Sequence, residues 1–223
     1  MAIARDSSAQ AQSGAGVTSL TFAHNNVAGN IMWMSAYSNS GSDNFTSAAF
    51  NGTNGTKVGS SVLNADGTYT TVWYLASPAT GTNNVVLTRS GSSARIGGAS
   101  VSYTDASTTG IPDANTTNTG AGANLTTSVT TIADNCWTIL FAHADDGTDA
   151  AGTGSTFVNG PSGILNSPSI YDSNGAVTPA GNKSMQVTGD GSSNFSTIMV
   201  SFKPAGGSPP AATPLLSLMG VGM

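Results

Sequence analysis

Residues 69–88 read YTTVWYLASPATGTNNVVLT, and this stretch decides the fold class. Along residues 69–76, successive side chains fall on two opposite faces, with Val72 on one face and Trp73 on the other. Alternation with a period of two predicts a β-strand. The turn formers that begin at Pro78 close this strand, and the β-branched residues that follow predict a second strand. The stretch therefore predicts two successive strands of an antiparallel sheet.

The same signals recur along the chain. Short runs rich in β-branched and aromatic residues are separated by turn formers, and no stretch shows sustained helical periodicity. We therefore predict an all-β fold, an antiparallel two-sheet sandwich of jelly-roll type. The predicted strands are 17–24, 31–37, 47–50, 57–63, 69–76, 84–89, 95–103, 125–132, 136–143, 169–172, 184–188 and 195–203.

Three segments support more detailed expectations. Residues 31–37 are apolar on both faces, which places this strand centrally in a sheet. Gly97 and Gly98 lie inside a strand, which indicates a bulge or a close backbone approach. Residues 104–123 are rich in Thr, Asn and Gly, and we predict a long crossover connection between the two sheets.

The composition excludes several classes of function. All 11 acidic residues are Asp, so Glu-dependent sites such as the HExxH zinc motif are absent. The net charge is −5, and only six Lys and Arg residues are scattered along the chain, so no basic patch for nucleic acid is expected. No apolar stretch reaches the length of a membrane span, and the N-terminus lacks the apolar region of a secretory signal peptide.

The two ends of the chain differ from its middle. We predict a flexible or extended N-terminal arm at 1–16, a β-sandwich domain at 17–203, and a Pro/Gly-rich linker with an apolar tail at 204–223. The tail is either disordered or a peg that docks in a groove on a partner. Its candidate contact residues are Leu215, Leu216, Leu218, Met219 and Val221.

Few residues indicate catalysis. His24 and His143 each end a predicted strand, and an enzyme would have to cluster one of them with Asp and Ser in a pocket. No GxSxG motif is present, so we predict a non-enzymatic protein with no catalytic residue. Cys136 is the only cysteine, which excludes an intrachain disulfide, and it lies in an apolar run that predicts a buried core thiol.

Two further features are ligand candidates. Asp145, Asp146 and Asp149 concentrate carboxylates in one loop, which makes calcium the one candidate cofactor, with a solvated turn as the alternative. Trp73 is the candidate platform for a sugar ring, with core packing as the alternative. No other cofactor is expected.

The pattern of residues 72–88 also resembles a known family. A "W-Y-L-x-x-P" strand followed by a "G-x-x-x-V-x-V-T" strand is similar to jelly-roll-like β-sandwich modules of bacteriophage virion surface proteins and bacterial adhesive surface proteins. Residues 50–52 resemble the short strand end that precedes this pattern, and residues 96–103 and 110–112 resemble the strand and turn that follow it. The likeness covers roughly residues 17–113.

The resemblance implies a structural or binding function rather than catalysis. We expect a virion structural protein, a phage capsid decoration protein located on the particle surface, whose partners are copies of itself and other virion proteins. The alternative is a carbohydrate-binding or adhesin module with a glycan ligand. The resemblance transfers no catalytic residue.

Overall fold

A computed structural model describes residues 2–91, 95–145, 149–160 and 168–206. The described residues form an all-β fold, which confirms the predicted class, and they contain no helix of the length and apolarity that a membrane span needs. Their sixteen strands are β1 (Ala4–Gln12), β2 (Ser19–Asn26), β3 (Ile31–Ser38), β4 (Phe45–Phe50), β5 (Thr53–Asn54), β6 (Thr56–Lys57), β7 (Val62–Leu63), β8 (Tyr69–Ala76), β9 (Gly81–Arg89), β10 (Ile96–Thr104), β11 (Ala114–Thr130), β12 (Trp137–Ala144), β13 (Ala150–Ala151), β14 (Thr156–Asn159), β15 (Ser169–Asp172) and β16 (Asn182–Phe202).

These strands form three sheets, so the predicted two-sheet arrangement is wrong. The central sheet has the order β1-β10-β3-β8-β6, with β7 also paired to β8. The ribbon sheet has the order β11-β16-β12-β15-β14, with β13 also paired to β16, and the small sheet has the order β2-β9-β4-β5. All strand pairs are antiparallel.

The central sheet buries both of its faces, which is why three layers form instead of two. Trp33 on β3 packs against Phe141 and Phe202 of the ribbon sheet, with ring centroids 6.2 and 5.7 Å apart. On the other face, Met32 and Met34 of the same strand belong to a cluster with side chains of the small sheet. The prediction that residues 31–37 are central is therefore confirmed.

The small sheet lies close to the central sheet at one glycine. A Cβ atom on Gly98 would lie 3.0 Å from Phe22 Cε1 and would overlap Leu87 Cδ1. The register of β10 against its two neighbours is continuous through this residue. Of the two alternatives for Gly97 and Gly98, the close backbone approach is therefore the one observed at Gly98.

The ribbon sheet is partly covered by its own longest strands. β11 and β16 pair along almost their whole length, with an irregularity between Gly122 and Asn124. Beyond it the ribbon folds back, because Thr127 Oγ1 lies 2.7 Å from Thr197 Oγ1 and the Asn118 amide donates to the Thr126 carbonyl at 2.9 Å. This fold buries Met185 and its neighbours against the outer face of the sheet.

Two predicted boundaries are corrected by these strands. Residues 114–123, predicted within a crossover connection, begin β11, and the two strands predicted at 184–188 and 195–203 are parts of β16. In the first half of β11, exposed and half-buried residues alternate, so the apolar periodicity that marks a core strand is absent there. Threonine is enriched in strands and suits a half-buried pleated surface, which fits the alternation of exposed and half-buried residues in this polar strand.

Residues 4–12, predicted as part of a flexible or extended arm, are extended and belong to the folded body. They form β1, the edge strand of the central sheet, and pair with β10 from Ala4 opposite Thr104 to Gln12 opposite Gly97. The strand is exposed or half-buried throughout. An edge strand of small polar residues lacks an apolar pattern, so the sequence alone predicted an arm.

Candidate functional site: the terminal cavity

The clearest open site lies where the first described residues meet the last ones. A cavity of about 560 Å³ is lined by Trp137 and by residues 2–3, 133–135, 175–176 and 203–206. We call it the terminal cavity. It receives residues from well-separated parts of the chain, so it exists only in the folded protein.

Backbone contacts fix the C-terminal side of this cavity. The Ser107 amide donates to the Lys203 carbonyl at 2.8 Å, and the Ala205 amide donates to the Asp105 carbonyl at 2.7 Å. Pro204 lies between these two contacts and forms a β-bridge with Ala106. The wall at residues 203–205 is therefore held in place by the loop that follows β10.

An ion pair fixes the N-terminal side. Arg5 Nε and Nη2 donate to the Asp172 carboxylate at 3.1 and 2.9 Å, and the Tyr103 hydroxyl donates to the same carboxylate at 2.8 Å. The Asp172 side chain is fully buried, while that of Arg5 is 32% exposed. Burial, followed by the nearby Asp172 carboxylate, raises the pKa of Tyr103 well above its usual value. We call these three residues the Arg5 clamp.

The clamp links the terminal cavity to the core. Ile3 lines the cavity two residues before Arg5, and the ring of Trp137 packs edge-on against Tyr103 with centroids 5.6 Å apart. Ile3, Trp137, Ala133, Ala176 and Pro204 give the cavity an apolar wall, with the charged groups of Asp134 and Lys203 beside it. A wall of this kind offers burial to the apolar part of a ligand or of a peptide segment.

A polar cluster around His24 brings together residue types that could suggest an enzyme. His24 Nε2 lies 2.9 Å from Ser7 Oγ and 3.1 Å from Ser102 Oγ, and Nδ1 lies 2.9 Å from Ser100 Oγ. Ser102 in turn donates to the Asp6 carboxylate at 2.7 Å. Within the described residues, this cluster lines neither the terminal cavity nor the second cavity described below.

The hydrogen-bond donors of this cluster can be assigned from its acceptors. Ser7 Oγ donates to the Asn25 carbonyl at 2.6 Å and Ser102 donates to Asp6, so both hydroxyl protons are committed. The Nε2 atom of His24 must therefore be the donor to these oxygens, and Nδ1 accepts from Ser100. In this arrangement the proton lies on Nε2, so His24 donates to Ser7 and does not accept from it.

Burial gives His24 a low affinity for protons. It lowers the pKa of the imidazole to about 4, although the Asp6 carboxylate acts in the opposite direction. Partial burial acts to raise the pKa of Asp6, but hydrogen bonds from Ser102 and from the backbone amides of Ala28 and Val27 leave it lowered. The cluster thus holds a neutral imidazole beside an ionised carboxylate and ties β1 to β2 and β10.

The other two residues considered for catalysis lie in the core. His143 is buried and stacks on Tyr37, with ring centroids 3.7 Å apart and planes 11° from parallel. Cys136 is fully buried, which agrees with the predicted core thiol. Burial raises the pKa of its thiol to about 12, and the Asp113 carboxylate, which accepts the thiol proton at 3.4 Å, acts in the same direction.

The two ligand candidates have different outcomes. Trp73 is 2% exposed and packs edge-on against Phe45, so its ring belongs to the core and offers no face to a sugar. Asp145 accepts hydrogen bonds from the Asn194 amide at 2.8 Å and from its side chain at 2.7 Å. Asp146 lies outside the described residues, and within them no group of three or more His, Cys, Asp or Glu side chains is placed to hold a metal ion.

The predicted peg falls outside the described residues altogether. This applies to all five of its candidate contact residues, Leu215, Leu216, Leu218, Met219 and Val221.

A second, more polar cavity of about 400 Å³ lies on the small sheet. It is lined by Asn51, Gly52, Thr82, Asn83, Asn84 and Val86. Amide and hydroxyl groups of this kind bind hydroxylated ligands. No aromatic residue is part of this lining.

Sequence reasoning missed the residues that build the terminal cavity. Ile3 and Arg5 lie in a segment predicted as an arm, and Asp172 ends a short strand with no motif around it. The one available signal was Asp172 itself, a charged residue at the end of an apolar strand, which implies a partner. No protein-family model and no curated protein matches this chain.

Proposed function

We propose that this chain is a non-enzymatic structural protein of a virion surface, a phage capsid decoration protein that binds copies of itself and neighbouring virion proteins. The observation that carries the proposal is the terminal cavity, an apolar site at which both ends of the described chain meet. The resemblance of residues 72–88 to jelly-roll modules of phage surface proteins adds the virion context.

The charge pattern supports contacts of this type. Charged residues make up 8% of the chain, and the described salt bridges are Arg5–Asp172 and Lys57–Asp43. Contacts that rest on apolar burial and neutral hydrogen bonds are little affected by salt, because screening weakens interactions between charges. A surface protein of this composition would keep its contacts over a wide range of ionic strength.

The test is incorporation into particles. Mass spectrometry and labelled-antibody imaging of purified particles should find the full-length chain on the particle surface. A chain that ends at residue 214 should keep the wild-type thermal unfolding curve and be lost from the particles. Particles that lack the full-length chain, or that take up both chains equally, would contradict the proposal.

A second candidate function, glycan binding, rests on the polar cavity of the small sheet. Asn84 and Thr82 are exposed there, and their side chains offer both donors and acceptors to sugar hydroxyls. A glycan array should then show specific binding that Asn84→Ala removes. Thr21→Ala changes an exposed residue outside this cavity and serves as the control. Equal binding by the two variants would rule this candidate out.

A further inference from the structure

The terminal cavity has the features of a docking site for an apolar chain segment. Its volume of about 560 Å³ falls within the range of about 300–1,000 Å³ that is typical of ligand sites. Ile3 and Trp137 line it and are 4% and 9% exposed, and backbone hydrogen bonds hold its wall at residues 203–205. A pre-formed apolar site binds a segment at a lower entropic cost than a site that must first be ordered.

The chain continues from the rim of this same cavity. Gly206 is the last described residue and lines the cavity, and residues 207–223 follow it. Residues 207–214 read GSPPAATP, and residues 215–223 read LLSLMGVGM. The second of these stretches is apolar and uncharged, so its side chains match the apolar wall of the cavity.

We propose that segment 215–221 of one copy binds in the terminal cavity of a neighbouring copy. This inference rests on the proposed function, which requires contacts between copies, and it assigns the groove in which the peg docks. Eight residues separate Gly206 from Leu215 and span at most roughly 26–29 Å, which is enough to reach an adjacent molecule.

The linker composition favours a neighbouring copy over the same chain. Pro209, Pro210 and Pro214 make up three of its eight residues. Proline-rich linkers act as semi-rigid spacers and oppose the sharp reversal that would return Leu215 to a cavity that Gly206 itself lines. Segment exchange between identical copies gives either a closed pair or an open series, depending on the rotation between them.

Disulfide trapping in the full-length protein tests the assignment. One variant carries Ala176→Cys, at an exposed residue of the cavity wall, and the other carries Leu218→Cys. The native thiol of Cys136 is fully buried and has a pKa of about 12, so it does not compete. The two variants are mixed, oxidised and separated on a non-reducing gel, and the linked peptides are identified by mass spectrometry.

The expected result is a disulfide-linked pair of one copy of each variant. Thr21→Cys replaces Ala176→Cys in the control, because Thr21 is exposed on the small sheet and is not part of the cavity lining. A bound segment raises the effective concentration of the two thiols, so we expect at least about tenfold more cross-link than in the control. Equal cross-linking of the two mixtures would overturn the assignment.

Three further outcomes decide between this assignment, binding of the segment within its own chain, and the proposed function. If the doubly substituted chain forms only an intramolecular disulfide at high dilution and mixing gives no pair, the segment binds its own cavity and the inference fails. If particle incorporation requires residues 215–223 while no 176–218 cross-link forms, the proposed function stands and the inference fails. If the cross-link forms but particles lack the chain, the inference stands and the virion role fails.

Discussion

Strand β1 contacts two other sheets through Arg5 and Ser7. The contact at Arg5 lies beside an open cavity, whereas the contact at Ser7 is closed. Arg5 points toward the ribbon sheet and joins the clamp with Asp172 and Tyr103, beside an open cavity. Ser7 points toward the small sheet and joins the closed cluster around His24. Residues two positions apart share one face of a regular strand, and the bulge between Arg5 and Ser7 lets these two side chains point to different sheets.

Among the described residues, the His24 cluster and the open terminal cavity lie apart. The His24 cluster contains an imidazole, an Asp carboxylate and three serine hydroxyls, and its hydrogen bonds join β1 to β2, to β10 and to the residues that follow β2. The terminal cavity is open but is lined mainly by small and apolar side chains. The terminal cavity thus offers another molecule both space and an apolar wall, as the proposed binding function requires.

The clamp should contribute the most stability. Asp172→Ala would leave the Arg5 guanidinium and the Tyr103 hydroxyl without the fully buried carboxylate that accepts their hydrogen bonds. We expect the free energy of unfolding in urea to fall by about 3 kcal/mol. The matched control is Asp43→Ala, which breaks the partly exposed pair with Lys57 at 2.9 Å and should cost less than about 1 kcal/mol. Similar losses for the two variants would show that the clamp is no stronger than a surface ion pair.

The His24 cluster should make the protein sensitive to acid. The folded state holds the pKa of His24 at about 4, compared with an ordinary value of 6.5, so it favours the neutral imidazole. This stabilisation is complete above pH 6.5 and is lost as the pH falls toward 4, with about 2 kcal/mol lost by pH 5. Urea unfolding between pH 7 and 4.5 measures it, and His24→Gln should remove this part of the slope. An unchanged slope in that variant would contradict the low pKa.

The hydroxyl of Ser100 should contribute a smaller part of the stability that the His24 cluster provides. Ser100→Ala removes the donor to His24 Nδ1 in a fully buried environment, and we expect a loss of about 1 kcal/mol in unfolding free energy. Ser128→Ala removes one partner of an exposed hydroxyl pair with Ser184 and should have no measurable effect. If the two variants behave alike, the hydrogen bond to Nδ1 contributes no stability.

The strands that the sequence predicts well differ from the others in how their side chains are buried. The all-β class and the central position of β3 follow from periodicity, because core strands such as β8 place apolar residues on both faces. β1 and the first half of β11 have no such pattern, because none of their residues there is fully buried. Their strand conformation depends on partners far away in sequence, at β10 and β16.

The site was predicted less well for a related physical reason. Trp73 was a candidate because of its residue type, but the third sheet covers it with Phe45, and periodicity does not reveal how many sheets pack together. The terminal cavity depends on the convergence of residues 2–3 with 203–206, which no local pattern encodes. Arg5 and Asp172 are 167 positions apart, so their pairing follows from the tertiary fold alone.

The smallest effect on stability should come from filling the open site. Ala176 is exposed at the cavity wall, so Ala176→Leu has room for its added atoms and should change the free energy of unfolding by less than about 0.5 kcal/mol. Ser100→Leu adds atoms to the closed cluster instead and should cost at least about 1–3 kcal/mol, because a filled core has no space for them. If segment 215–221 of a neighbour binds the cavity, Ala176→Leu should also weaken self-association in sedimentation velocity while the unfolding curve stays unchanged. Equal destabilisation by the two leucine substitutions would show that the terminal cavity is as tightly filled as the His24 cluster, and the distinction between the two faces of β1 would be lost.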